Sequence, residues 1–241
     1  MARENEKECL EAVKNAILGN NNISIYSNCE ITSISGYIFA ATENHNANDF
    51  PDFIFDGGGI EHFELTSSKE TKKGSEFKIE ESRNKQIKKE YEAELRNEFL
   101  HSDYVPGTMS TNNYEETYES FTYEDFLSSL RRNISNHVGS LEKSHYMNKV
   151  VFFLMEQQTA RLWIDEGVLP IRFYELHKDK NALSIIKETC YSVRFLIYLV
   201  SDSIEIIDLT KIDNLLENAI VYKNVKGGRL IKHQINLFIN L

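Results

Sequence analysis

Cysteine and proline are scarce in this chain, whose 241 residues contain three of each. Cys9, Cys29 and Cys190 are odd in number, widely spaced and without a CxxC pair, which argues against a disulfide framework or a zinc site built on cysteines. Long apolar runs are also missing. A run such as residues 195–200 has six residues, whereas roughly 20 residues are needed to span a bilayer. The first residues lack the apolar core of a secretory signal. These absences predict a soluble, cytoplasmic protein without a membrane partner.

Acidic residues exceed basic residues, 37 to 27, so the formal net charge is −10. This total argues against a non-specific DNA-coating protein, but it leaves room for a local basic groove. The charge is segregated along the chain. Residues 69–89 contain eight basic and four acidic side chains, whereas residues 90–130 contain ten acidic side chains and a single base, Arg96.

Apolar spacing predicts a mixture of helices and strands in a single domain. Helices are expected over residues 4–18, 80–100 and 123–143, and strands over 23–26, 36–42, 150–155, 171–176, 193–200, 203–209 and 229–239. Residues 1–100 form the motif-bearing core, residues 101–122 a loop or insertion, and residues 123–241 the remainder of the sheet with a C-terminal elaboration. The fold class expected is α/β or α+β, with a central mixed sheet flanked by helices.

A β-hairpin is the most informative stretch of the sequence. Its strands, residues 53–56 and 60–66, are joined by Gly57-Gly58-Gly59. With the turn centred on Gly58, antiparallel pairing places Asp52 opposite Glu64. The Cβ atoms of such partners lie about 5 Å apart. Two carboxylates at that separation suit Mg²⁺ (or Mn²⁺), which binds carboxylates, waters and substrate phosphates. The sequence therefore predicts a metal site at Asp52 and Glu64.

The alternation of the second strand places His62, Glu64 and Thr66 on one face of the hairpin. His62 could orient water, act as a base or bind a metal, and a structural hydrogen bond is an equally open role for a strand histidine.

These residues resemble the PD-(D/E)xK nuclease superfamily, the restriction-endonuclease-like fold. Pro51-Asp52 matches the Pro-Asp that opens one strand, and Glu64 matches the carboxylate on the next strand. A helix and short strands precede the hairpin, and a helix and an apolar strand follow it. The resemblance implies that Asp52 and Glu64 hold Mg²⁺ for hydrolysis of phosphodiester bonds in DNA.

One position departs from this pattern, because Thr66 occupies the place of the usual lysine. Within the resemblance, Thr66 or His62 would position water, and Lys69 is the first candidate for a displaced lysine. Further candidates lie on the following helix: Lys85, Lys88 and Lys89. Gln86 on that helix is similar to a glutamine of recombination-type exonucleases. The expected nucleic-acid contacts come from the basic stretch: Lys72, Lys73, Lys85, Gln86, Lys88 and Lys89.

Two other functions remain open. The missing lysine and the net charge favour a non-catalytic nuclease-like module that binds nucleic acid or protein. An unrelated α/β domain whose acidic face binds a protein is the third alternative, and a separation above about 8 Å between Asp52 and Glu64 would favour it. The sequence does not decide between DNA and RNA as the substrate, or between a monomer and a homo-oligomer.

Overall fold

The computed structural model describes residues 2–19, 23–26, 31–45, 50–65, 70–71, 74–100, 109–118, 122–157, 162–163, 172–200, 203–222 and 229–238. Its helices are α1 (Ala2–Gly19), α2 (Ile31–Ala40), α3 (Glu76–Leu100), α4 (Tyr123–Lys143), α5 (Lys180–Thr189) and α6 (Ile212–Asn218). Its strands are β1 (Ile23–Tyr26), β2 (Thr42–Glu43), β3 (Phe53–Phe55), β4 (Gly58–Glu64), β5 (Glu70–Thr71), β6 (Gly74–Ser75), β7 (Met109–Tyr118), β8 (Val150–Gln157), β9 (Leu162–Trp163), β10 (Arg172–Phe173), β11 (Phe195–Val200), β12 (Ser203–Asp208) and β13 (Arg229–Phe238).

Seven strands form a mixed sheet in the order β1-β12-β11-β8-β4-β3-β2. Its centre is parallel, because β4 pairs in parallel with β8 and β8 with β11. Strand β3 is antiparallel to β4, and β12 is antiparallel to β11. With helices packed on it, this sheet confirms the predicted α/β architecture. Among the described helices, none is long and apolar enough to cross a bilayer.

Each face of the sheet carries its own apolar layer. Helices α1 and α2 cover one face, where Val13, Ile34 and Ile38 pack on side chains such as Ile60 and Phe152. Helices α4, α5 and α6 cover the other face over side chains of the same strands that point the opposite way. Burying one such side chain stabilises the fold by roughly 1.5–3 kcal/mol. The two layers therefore fix which strand residues face which helices.

Helix α4 has the bounds that its sequence predicts, residues 123–143. Its buried stripe includes Phe126, Leu130, Ile134 and Val138, four residues apart at each step. Thr122 caps its first turn by accepting a hydrogen bond from the backbone N–H of Asp125 at 3.1 Å. The predicted helices over residues 4–18 and 80–100 are confirmed by α1 and α3.

One local prediction is wrong. The sequence predicts a strand over residues 36–42, but most of them belong to α2, because Ile34 and Ile38 are four residues apart and are both fully buried on the sheet. The segment 101–122, predicted as a loop or insertion, contains β7, whose partner β13 pairs with it antiparallel over ten residues. The predicted strand over residues 229–239 corresponds to β13. The pairing with a strand so distant in the sequence decides the structure of residues 109–118.

Candidate active site

The hairpin forms where the sequence predicts it, but with another register. Phe53 pairs with Ile60 and Phe55 with Gly58, so the turn consists of Asp56 and Gly57. Gly57 has a φ of 85°, a left-handed conformation that favours glycine. A Cβ on Gly58 would lie 1.9 Å from the Val150 carbonyl oxygen, so this glycine permits the close approach of β8. The second glycine of the triplet is thus a packing position rather than the centre of the turn.

This register overturns the predicted pairing of Asp52 with Glu64. Extended by one residue, it places Asp52 opposite Glu61. Glu64 lies three residues further along β4, about 10 Å at the usual strand rise, and on the other face of the strand. The register therefore removes the cross-strand argument for a cation held between Asp52 and Glu64. An offset of this size is above the separation of about 8 Å, and it favours the third alternative, an unrelated α/β domain.

Asp52 and Glu61 form a polar cluster with His137 on the α4 face. Glu61 Oε1 lies 2.6 Å from Nδ1 of His137, whose ring stacks on Phe63 with centroids 4.5 Å apart. The Asp52 Oδ2 atom accepts a hydrogen bond from the backbone N–H of His62 at 2.8 Å. Burial and the charge of Glu61 raise the pKa of Asp52 to about 6. The cluster holds its polar groups in internal hydrogen bonds.

A second cluster lies on the α1 face, where β4 and β8 run side by side in parallel. Their register pairs Glu64 with Glu156, so the two carboxylates are neighbours at the same end of adjacent strands. His62 precedes Glu64 by two residues and shares its face. His62 Nε2 lies 3.4 Å from Oε2 of Glu156. Two carboxylates and one imidazole thus meet at this edge of the sheet.

Helix α1 adds two side chains to the α1-face cluster. The Asn5 amide donates a hydrogen bond to Oε2 of Glu156 at 2.8 Å. Potential ligand atoms of Cys9, His62 and Glu156 all lie within 4.8 Å of one another. The His62 residue is only 9% exposed, and its Nε2 is buried without an aligned hydrogen-bond partner. A buried polar atom of this kind normally has a partner, so its orientation suits a ligand.

Electrostatics distinguish the two glutamates of this cluster. Burial and the charge of Glu156 raise the pKa of Glu64, and the charge of Lys78 opposes that rise. Burial also acts to raise the pKa of Glu156, but His62, Cys9 and Asn5 together lower it. Burial and the neighbouring Glu156 raise the pKa of the Cys9 thiol. The site therefore favours a negative charge on Glu156 and resists a second one on Glu64.

The basic residues predicted near the hairpin have different environments. Lys85 forms an ion pair with Glu81 at 2.8 Å, and Gln86 donates a hydrogen bond to Glu90 at 3.0 Å. Lys89 is exposed and Lys88 partly buried on the same helix. The lysine whose charge acts on Glu64 is Lys78, in the first turn of α3. The predictions for Thr66, Lys69, Lys72 and Lys73 concern positions outside the described residues.

The sequence patterns did not indicate Glu156, Cys9 or Asn5 as site residues. Glu156 follows the apolar run 150–155, and a carboxylate at the end of a buried strand is the one local signal for it. Comparison of the chain with protein-family models, with curated proteins and with solved structures finds no match. The chemistry of the site therefore carries the functional inference.

Proposed function

We propose that the protein is a divalent-metal-dependent nuclease whose active centre is the α1-face cluster. The observation that carries this proposal is the parallel pairing of Glu64 with Glu156 beside the buried His62 ring. Neighbouring carboxylates that share a face are the donors by which divalent cations are held in phosphoryl-transfer sites. The end of β4 is also where the resemblance to the PD-(D/E)xK superfamily implies a metal-binding carboxylate.

The donor set fits a divalent cation. Glu64 and Glu156 supply hard oxygen donors for the expected Mg²⁺ (or Mn²⁺), and the Nε2 of His62, which makes no aligned hydrogen bond, adds a nitrogen donor of the kind that transition metals accept. When bound, such a cation polarises a phosphate and lowers the pKa of a bound water. Asn5 fixes the orientation of the Glu156 carboxylate through its hydrogen bond. Lys78, whose charge lowers the pKa of Glu64, would neutralise phosphate charge in the role of the displaced lysine.

Asp52 takes a different role in this proposal from the one that the resemblance implies. It lies opposite Glu61 and accepts the hydrogen bond from the His62 N–H. Asp52 is therefore a positioning residue, which holds the β4 backbone at His62 from the opposite side of the sheet. The order of elements still supports the resemblance, because a helix and short strands precede the hairpin and a parallel apolar strand, β8, lies next to β4.

The first half of α3 supplies the phosphate grip. A surface depression is lined by Lys78, Ile79, Ser82, Arg83 and Gln86. Two cations and two polar side chains in one depression suit the phosphate backbone of a nucleic acid, and binding by them weakens steeply as salt rises. DNA is the substrate proposed.

The test is cleavage of linear, circular and single-stranded DNA in the presence of Mg²⁺, Mn²⁺ or Zn²⁺. The wild type is expected to cleave at least one substrate in a metal-dependent reaction that EDTA abolishes. Glu64→Gln keeps the shape of the side chain and removes its charge, so cleavage should fall at least about 100-fold. Glu188→Gln is the matched control, because this exposed glutamate pairs with Arg131 on the other side of the sheet.

Equal cleavage by the wild type and Glu64→Gln contradicts the proposal. If neither cleaves any substrate, and the wild type binds DNA equally well with and without metal, the non-catalytic alternative replaces it.

A further inference from the structure

We propose that Cys9, His62 and Glu156 form a three-ligand site for a borderline transition metal of the Zn²⁺ class, with the fourth position open. The proposal rests on the same cluster as the proposed nuclease function, and it goes further by naming the class of metal and by including Cys9. The cluster combines a thiol, an imidazole and a carboxylate.

The separations match tetrahedral coordination. Two donors about 2.1 Å from a tetrahedral Zn²⁺ are about 3.4 Å apart. His62 Nε2 and Glu156 Oε2 already lie at 3.4 Å. All three donor atoms are within 4.8 Å of one another, so the Cys9 sulfur needs a shift of at most about 1 Å to complete a set with a bond of about 2.3 Å. A side-chain rotation provides a movement of that size.

Three packed elements hold these donors. Cys9 lies on α1 and is 4% exposed, beside the fully buried Val13. His62 and Glu156 lie on β4 and β8, two strands joined in a parallel ladder from Gly58 to Glu64. Asn5, one turn before Cys9, orients Glu156 from the same helix. The three donors therefore lie on regular elements that pack against one another.

The donor types select the metal. Thiolate and imidazole suit Zn²⁺ and similar ions, whereas Mg²⁺ prefers oxygen donors alone. Three protein donors with one vacant position is the arrangement of catalytic rather than structural zinc sites. Glu64, the register neighbour of Glu156, is a further carboxylate beside the site.

Cys190 provides a comparison for Cys9, because it is also buried but lies in an apolar environment. It is 3% exposed and packs in the apolar layer of the α4 face. Among the described residues, no metal-type cluster includes it. Cys190 fills space in the core, whereas Cys9 lies beside a carboxylate and an imidazole whose Nε2 makes no aligned hydrogen bond.

The test replaces Zn²⁺ with Co²⁺, whose bond to a thiolate gives a charge-transfer band in the near ultraviolet. The double variant Cys29→Ser/Cys190→Ser leaves Cys9 as the sole thiol of the three in the chain, and this variant is expected to keep the band. Cys9→Ser should lose the band and bind Zn²⁺ about 100-fold more weakly or worse, as measured by competition with a chelator. Cys9→Ala is made in parallel, and circular dichroism checks that each variant is folded.

A band that persists in Cys9→Ser or Cys9→Ala, or a wild type without one, overturns the inference. These readouts need no substrate, so failure of the metal class and failure of the proposed function are separable. If the protein cleaves DNA with Mn²⁺ but shows no cobalt–thiolate band, the Cys9 metal site is refuted and the proposed nuclease function stands. If the band is present but the protein cleaves no DNA, the metal site stands and the proposed nuclease function is refuted.

Discussion

Two polar clusters lie on opposite faces of the same pair of strands, and they differ in how their groups are satisfied. On the α4 face, Glu61 is bonded to His137 at 2.6 Å, and Asp52 accepts from the His62 N–H at 2.8 Å. On the α1 face, the His62 ring points its Nε2 at Glu156 without an aligned hydrogen bond. One histidine thus contributes its backbone to one cluster and its ring to the other.

Under the proposed function, this difference distinguishes a cluster that stabilises the fold from a cluster that binds a ligand. Buried polar groups are normally hydrogen-bonded, and a cluster closed on itself gains nothing from a ligand. A buried imidazole nitrogen without such a bond, beside two carboxylates and a thiol, is stabilised when a cation binds. We therefore expect substitutions on the α1 face to affect metal binding and activity, and substitutions on the α4 face to affect stability.

The largest contrast is expected in catalysis between Glu156→Gln and Glu61→Gln. Both variants replace a carboxylate with its amide on adjacent strands, where Glu61 is buried and Glu156 is partly buried. Loss of the Glu156 charge should lower the cleavage rate at least about 100-fold, because a metal donor is lost. Glu61→Gln should stay within about threefold of the wild type. Initial rates on one DNA substrate at fixed metal and salt measure both, and similar losses in the two variants would erase the distinction between the clusters.

Metal binding should stabilise the folded protein through the α1 face alone. A ligand at roughly 100 times its Kd adds about 3 kcal/mol to the free energy of unfolding, which raises Tm by about 5 to 10 °C for a chain of this length. Zn²⁺ should produce this rise in the wild type and in Cys190→Ser, and little of it in Cys9→Ser. Thermal scans with and without Zn²⁺ provide the measurement, and an equal rise in all three proteins counts against Cys9 as a ligand.

His137→Ala should destabilise the protein without affecting metal binding. It removes the partner of Glu61 and the ring that stacks on Phe63. The expected loss is about 1 to 3 kcal/mol in the free energy of unfolding, since a buried carboxylate is left unsatisfied. Urea denaturation measures this loss, and His45→Ala at an exposed position is the control. A normal stability combined with weakened Zn²⁺ binding would move the metal site to the α4 face.

The smallest effect is expected for Asp52→Asn, and it depends on pH. The folded protein holds the Asp52 proton more tightly than the unfolded chain, because the pKa is raised to about 6. This contribution to the free energy of unfolding is complete below the unfolded pKa of about 4 and is lost as pH rises through about 6. Asparagine keeps the acceptor for the His62 N–H and carries no charge. The variant should therefore be more stable than the wild type by about 1 to 2 kcal/mol at pH 7.5 and equal to it near pH 4.

Urea denaturation between pH 4 and pH 8 follows this difference, with Asp56→Asn in the exposed turn as the control. A variant that is less stable than the wild type at pH 7.5, or that no longer binds Zn²⁺, would show that Asp52 is needed as an anion.

Much of the fold follows from local patterns in the sequence. In the hairpin, these patterns predict the strands but not their register. Alternating apolar residues and the glycines locate β3 and β4. The glycine triplet predicts a turn at Gly57-Gly58-Gly59, whereas the turn consists of Asp56 and Gly57, a strong two-residue turn signal. A glycine is needed at position 58 because its backbone lies against Val150. That residue belongs to β8, a strand far along the chain, so no local pattern reveals the contact. The observed register places Asp52 opposite Glu61, whereas the predicted register places it opposite Glu64. The predicted pair of carboxylates therefore differs from the observed pair.

The site itself depends on contacts that no local pattern reveals. Glu156 reaches Glu64 through the parallel pairing of β4 with β8, and Cys9 reaches His62 through the packing of α1 on the sheet. His62 and Glu64 were predictable, because alternation in one strand places them on one face. Their partners were not, because parallel order and helix docking are set by tertiary structure.

The most direct test is a crystal of the protein soaked in Zn²⁺ or Mn²⁺, with data collected at the absorption edge of the metal. The account predicts an anomalous peak about 2.0–2.3 Å from His62 Nε2, a Glu156 oxygen and, for Zn²⁺, the Cys9 sulfur. A peak between Asp52 and Glu61 would contradict it, and so would a fully soaked crystal without a peak on the α1 face.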